Sequence, residues 1–180
     1  MNLALFRGLP GVGKSRAAQV LVDELNYLNF EADQYQADGQ GIIRKKFDRN
    51  KLQPAHNLCR ARCQNALLEK CSVVISNTMS TLEEIRPYVA MGVKYHAGIS
   101  IVCFVGNWGC PRQMNDSTDI YDNMKQRWEG CPGELIMTAR QFILTRHFET
   151  VVPHHINQIL GGCNIPIDEI INQANQQTRI

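Results

Sequence analysis

Gly8-Leu9-Pro10-Gly11-Val12-Gly13-Lys14-Ser15 fits the pattern G-x-x-x-x-G-K-[ST] at every position, and it follows closely on an apolar run, Leu3–Phe6. An octapeptide of this kind restricts the fold around it. Its glycines let the backbone curl until successive N–H groups converge on phosphate oxygens, and the helix that follows adds its dipole. From about Lys14 to Leu28, Ala17, Ala18, Leu21, Val22 and Leu25 recur at helical spacing. Strand, glycine turn and helix in that order belong to an open parallel sheet, where ligands gather beyond the carboxyl ends of the strands. The loop assigns Gly8, Gly11, Val12, Gly13, Lys14, Ser15 and Arg16 to nucleotide binding. Lys14 is expected to reach the β- and γ-phosphates, and the Ser15 hydroxyl to ligate Mg²⁺ carried with the nucleotide.

The rest of the chain keeps the same rhythm. A short strand near Phe30–Ala32 ends at Asp33, and a helix starts at Pro54, a favoured first-turn residue, and runs to about Lys70. Ser72–Ser76 is a buried-type strand, Ser80–Met91 a helix with Glu83 and Glu84 in its first turn, and Ile99–Val105 another strand. This alternation implies a three-layer α/β fold, a central parallel sheet with helices on both faces. Residues 36–53 lack periodicity, and 106–133 break the rhythm with Gly, Pro, Asn and Asp before a short amphipathic piece at Asn123–Glu129. After Thr138 a helix or strand runs through Leu144, and beyond Val151 a short helix is expected at Pro166–Ala174. The expected layout is one domain over residues 1–150 and a tail over 151–180.

Composition narrows the class without naming it. The chain has 180 residues, 44% hydrophobic and 20% charged, the balance of one ordinary globule with a true core. It contains no run of about 18 apolar residues to cross a membrane, and MNLALFRGLPG lacks the features of a secretory signal. Seven cysteines without a CxxC pair are expected as reduced thiols in a cytoplasmic setting. Cys59, Cys63, Cys71 and Cys103 are expected in the core; His56 with Cys59 and Cys63 falls short of a zinc pattern. His154 and His155 are expected in a surface loop with their rings pointing apart. The net charge of +2 neither demands nor excludes a nucleic-acid partner.

Asp33, at a strand's carboxyl end, stands where a carboxylate can take the proton of an attacking hydroxyl; position alone equally suits a surface aspartate opening a turn. Residues 42–62 hold Arg44, Lys45, Lys46, Arg49, Lys51, Arg60 and Arg62 against the single acid Asp48. Such a local excess suits either a track for a polyanion's phosphates or a solvated face. Trp108 and Trp128 suit base stacking or closure of a lid onto the core. His56 suits a donor to substrate or a satisfied helix histidine.

Arg7 to Ser15 followed by Ala32-Asp33-Gln34-Tyr35 resembles the phage polynucleotide 5′-hydroxyl kinases and their cellular relatives, the NEDD4-binding-protein-2-like P-loop kinases. Ala55-His56, Val74-Ile75-Ser76-Asn77-Thr78, Arg86-Pro87-Tyr88-Val89 and Met124-Lys125-Gln126-Arg127-Trp128-Glu129 continue the likeness, over about residues 3–135. The resemblance implies a P-loop NTPase fold of the nucleoside- and polynucleotide-kinase type, with a lid over about 106–133. It makes Asp33 the general base and Arg112 or Arg127 the lid arginine beside the transferring phosphoryl group. Tyr35, Arg44, Lys45, Lys46, Arg49, His56, Arg60, Asn77 and Thr78 become candidate acceptor contacts.

The chain departs from that pattern twice. Gln34 stands where the family often has a second carboxylate, and Ser76-Asn77-Thr78-Met79 lacks the usual strand-end aspartate. Metal binding is then left to Ser15, Asp33 and water, or to the nucleotide itself. The expected activity is transfer of the γ-phosphate of ATP, or another NTP, with Mg²⁺, to a nucleic-acid 5′-hydroxyl in the cytoplasm. A kinase for a nucleoside, a modified base hydroxymethyl group or another small alcohol stays open. So does a nucleotide-binding module with little turnover.

Overall fold

A computed structural model describes residues 1–36, 49–106 and 118–161. Five strands form one parallel sheet: β1 (Asn2–Arg7), β2 (Leu28–Phe30), β3 (Val73–Ile75), β4 (Gly98–Phe104) and β5 (Leu135–Met137). They lie in the order β2-β3-β1-β4-β5, so β1 is central. The helices are α1 (Lys14–Leu25), α2 (Arg49–Leu68), α3 (Leu82–Lys94), α4 (Thr118–Gln126), α5 (Ala139–Thr145) and α6 (Pro153–Ile159). A 3-10 turn, Ala32–Gln36, follows β2.

Alternation along the strands builds the layers. Leu3, Leu5, Val73, Ile75, Ile99 and Ile101 face one side and pack under α2, α3 and α6. Ala4, Phe6, Val74, Val102 and Phe104 face the other side, under α1 and α5. There Phe6, Phe104 and Phe142 meet edge to face, with centroids 5.0, 4.9 and 5.7 Å apart. Each such pair contributes about 0.5–1.5 kcal/mol beyond its buried area. Cys59, Cys63 and Cys103 are buried free thiols as expected, joined by Cys131, while Cys71 is half-buried.

Several boundaries differ from the sequence reading. Asn26 takes a left-handed φ of 55° and ends α1 at Leu25, which lets β2 begin at Leu28. Ala32, expected in that strand, opens the 3-10 turn instead. Helix α2 starts at Arg49 and carries Pro54 inside it, where the proline is exposed and removes a single N–H close to the helix start. Strand β5 was not expected. Thr138 separates it from α5 by exchanging bonds with Gln141: Thr138 N–H donates to Oε1 at 2.8 Å, and Gln141 N–H to Oγ1 at 3.1 Å.

The tail reading from residue 151 is also revised for its first part. Val151, Ile159 and Leu160 are core residues, Val151 N–H donates to Ile99 O at 2.6 Å, and Arg86 Nε donates to Ile159 O at 2.8 Å. His154 and His155 lie in α6, their ring centroids 5.8 Å apart, because successive helical residues diverge by about 100° and not by the 180° of extended chain. The expected helix Pro166–Ala174 lies outside the described residues. Among the described residues no helix is long and apolar enough to cross a membrane.

Candidate functional site

The phosphate loop leaves the buried carboxyl end of β1. Gly8 has φ 148°, and a Cβ there would sit 2.6 Å from Phe104 O and 2.8 Å from Val12 Cγ2. Only glycine fits. Gly13, at φ 95°, turns the chain into α1. The Gly8 N–H donates to Thr78 O at 3.2 Å, which ties the loop to the segment after β3. Val12 is buried beneath the loop, Gly11 has φ 85°, and Arg16 is exposed on α1.

Lys14 Nζ donates to Gly8 O at 2.9 Å and Leu9 O at 3.1 Å, so its charge lies against the loop. The residue is only 9% exposed. Burial lowers its pKa to about 8, against the opposing pull of Glu31, Asp33 and Cys103. Beside it, Ser15 Oγ donates to Glu31 Oε1 at 2.7 Å. Burial pushes the Glu31 carboxyl up, and the Ser15 hydrogen bond opposes this.

Asp33 is exposed in the 3-10 turn after β2, two residues beyond Glu31. Asn77 braces that turn: its Oδ1 accepts the Ala32 N–H at 2.8 Å, and its Nδ2 approaches Cys59 Sγ at 3.6 Å. Expected among the acceptor contacts, Asn77 thus has both ends of its amide engaged within the fold.

Lys14, Glu31, Asp33, Asn77 and Thr78 line a cleft of about 410 Å³. His56 and Arg60 of α2 line it too, with Glu84 of α3, then Tyr121 and Met124 of α4 and Arg127 just beyond. Arg127 Nη2 lies 3.2 Å from Glu84 Oε1. Burial lowers the His56 pKa, Glu84 opposes this, and Arg60 adds to the lowering. Arg60 Nη2 donates to Asn57 Oδ1, while its buried Nε has no hydrogen-bond partner among the described residues. Tyr35 lies in the turn and Arg49 opens α2, but their side chains are outside what is described. Arg44, Lys45, Lys46, Trp108 and Arg112 are also outside the described residues.

Residues 3–116 match a protein family described as "AAA domain". The chain belongs to that AAA-domain family. Human NEDD4-binding protein 2 is 34% identical to it over 96 residues, which are 52% of this chain and 5% of the human protein. The AAA-domain chain therefore spans a small fraction of that relative. Solved structures that share its fold include the following two. Chaetomium thermophilum Kti12 in complex with ADP-AlF3 has a TM-score of 0.54 and 12% identity, over 94% of this chain and 97% of that one. A gluconokinase from Sinorhizobium meliloti has a TM-score of 0.51 and 14% identity, over 98% and 91%. The fold is the three-layer α/β fold of P-loop kinases.

One network in this AAA-domain chain was not anticipated. Arg7 is fully buried at the end of β1. Its Nη1 meets Glu134 Oε2 at 2.9 Å, its Nη2 donates to Glu129 O at 2.7 Å, and its guanidinium lies 4.3 Å from the Trp128 ring centre. Glu129 also accepts the Leu82 N–H at 2.6 Å. The strand feeding the phosphate loop thus holds the segment after α4 by a charge that is paired and hydrogen-bonded, the only economical way to bury it. Of the two roles weighed for Trp128, closure onto the core is the one these contacts serve. Nothing local marks Arg7 for this, since its hydrogen-bond partners lie 73 to 127 residues away. Glu31 did carry a signal, a second acid two residues before Asp33.

Proposed function

We propose that this chain transfers the γ-phosphoryl group of ATP to a hydroxyl group, and that the acceptor is the 5′-hydroxyl end of a nucleic acid. The observation that carries the reading is that Lys14 of the phosphate loop and Asp33 of the strand-end turn line one cleft together with Arg60 and Arg127. A nucleotide on the loop would bring its terminal phosphate to that cleft. Asp33 takes the acceptor's proton, the oxygen attacks the γ-phosphorus in line, and the bond to the bridging oxygen breaks to leave ADP. Lys14 exchanges its contacts with the Gly8 and Leu9 carbonyls for phosphate oxygens, and anionic phosphate holds it protonated. Arg127, partly exposed on the cleft wall, supplies cationic charge from the lid side. The hydroxyl and carboxylate oxygens beside the loop are donors of the kind Mg²⁺ takes, and with the nucleotide it would neutralise phosphate charge.

A second reading, a small hydroxyl acceptor, draws on the size of the cleft. About 410 Å³ is at the small end of ligand pockets and suits a single nucleoside. Transfer of labelled γ-phosphate from ATP to 5′-hydroxyl DNA, 5′-hydroxyl RNA and free nucleosides separates the two. The nucleic-acid reading expects oligonucleotides to exceed nucleosides by well over tenfold in kcat/KM. Equal efficiency would refute it, and no transfer to any acceptor would refute the kinase reading.

A further inference from the structure

In this chain the segment after β3 offers no carboxylate: Ser76, Asn77, Thr78 and Met79 follow Ile75. The next strand outward, β2, ends at Phe30 and is followed at once by Glu31. The carboxylate of Glu31 accepts the Ser15 hydroxyl at 2.7 Å. Two hard oxygen donors, one on the phosphate loop and one on a strand end, are thereby in contact. The charges of Glu31 and Asp33 are felt at Lys14, and that of Asp33 at Glu31. Asp33 is more exposed and lines the same cleft.

Among the described residues no group of three or more His, Cys, Asp or Glu side chains is placed to cage a metal. A cation at this site therefore needs oxygens from outside the protein. That is the usual manner of Mg²⁺, which keeps several waters and combines one or two protein oxygens with substrate phosphates.

We propose that Glu31 is the protein carboxylate for nucleotide-borne Mg²⁺, acting with Ser15 in place of the missing strand-end aspartate. This divides the two acids: Glu31 holds the metal or its water, and Asp33 is free to take the acceptor's proton. The proposal rests on the nucleotide-binding reading above. It differs from the sequence expectation, which gave the metal to Ser15, Asp33 and water, or to the nucleotide itself.

Calorimetric binding of ADP and of a non-hydrolysable ATP analogue, each with and without Mg²⁺, tests it without recourse to turnover. The quantity read is the factor by which Mg²⁺ tightens the nucleotide. Glu31→Gln keeps an acceptor for Ser15 and should cut that factor by about 10-fold or more, the usual scale for losing a metal-supporting partner. Its metal-free nucleotide affinity should be unchanged or better, since a negative charge near phosphates is gone. Glu31→Asp should restore part of the factor, and Asp33→Asn should leave it intact.

If Glu31→Gln keeps the factor and Asp33→Asn loses it, the metal role passes to Asp33. If both keep it, the nucleotide and Ser15 suffice; if Glu31→Gln weakens metal-free binding equally, Glu31 is only a brace for the loop. Either result overturns the proposal. Wild-type binding that Mg²⁺ does not tighten overturns it as well, while sparing the nucleotide site. Failure of the wild type to bind nucleotide at all would instead remove the reading beneath it.

Discussion

Lys14 is the residue on which the proposed phosphoryl transfer most depends, and the structure makes it a burden on folding. It carries a charge in a place where only 9% of the residue is exposed. The gap between its ordinary pKa of 10.5 and about 8, at about 1.36 kcal/mol per pH unit, amounts to roughly 3 kcal/mol against the charged form. The folded pKa is depressed, so between about 8 and 10.5 the unfolded chain holds the proton more firmly than the folded one. Stability from this group therefore rises with pH across that window, and below about 8 the full cost applies. Replacing the lysine by methionine removes the charge and keeps the stem. It also removes the bonds to Gly8 O and Leu9 O, each worth about 1 kcal/mol. Lys14→Met is thus expected to be more stable than the wild type by about 1–2 kcal/mol at pH 7. Above pH 10.5 the wild type no longer carries the charge cost, so the order should reverse and the variant, lacking the two bonds, should be the less stable by about 1–2 kcal/mol, while phosphoryl transfer is abolished. Urea unfolding of both proteins at a series of pH values from 6 to 11 measures it. A variant less stable at pH 7, or a difference that does not change with pH, would refute the reasoning.

Three further outcomes are expected. Asp33→Asn should retain nucleotide binding by calorimetry and lose on the order of 10²–10⁴ in transfer, and unchanged transfer would move the base role elsewhere, with His56 first. Gly8→Ala forces a Cβ to 2.6 Å from a backbone oxygen. It should cost about 2–4 kcal/mol in chemical denaturation and weaken nucleotide binding, whereas an alanine at Gly11, where nothing lies within 4 Å, should cost less. Changing Lys45, Lys46 and Arg49 together to alanine should raise KM for an oligonucleotide and flatten its salt dependence, with KM for ATP unmoved. An unaltered salt slope would count against a polynucleotide track.

Much of this molecule was legible because the deciding physics is local. A glycine-rich octapeptide between an apolar run and a helical pattern specifies phosphate-loop geometry wherever it occurs, and it implied the parallel sheet around it. Strands β1, β3 and β4 were readable because strands buried on both faces are continuously apolar. Local signals misplaced features set by pairing and packing. Strand β5 is three residues long, and only its register with Val102–Phe104 makes it a strand. Helix α6 falls in the stretch read as tail, and only packing places Ile159 and Leu160 in the same core as Ile85 and Val89.

The site divides in the same way. Lys14 and Ser15 were named from the phosphate-loop pattern, and Asp33 from its strand-end position together with the family resemblance. The contact of Ser15 with Glu31, the bracing of the Asp33 turn by Asn77, and the hold of Arg7 on Trp128, Glu129 and Glu134 were not. Each joins residues 16 to 127 positions apart. A hydrogen bond or ion pair at that separation exists only after the sheet has brought strand ends together. Sequence alone thus determined which side chains can handle phosphate, and the parallel order β2-β3-β1-β4-β5 decided which of them meet.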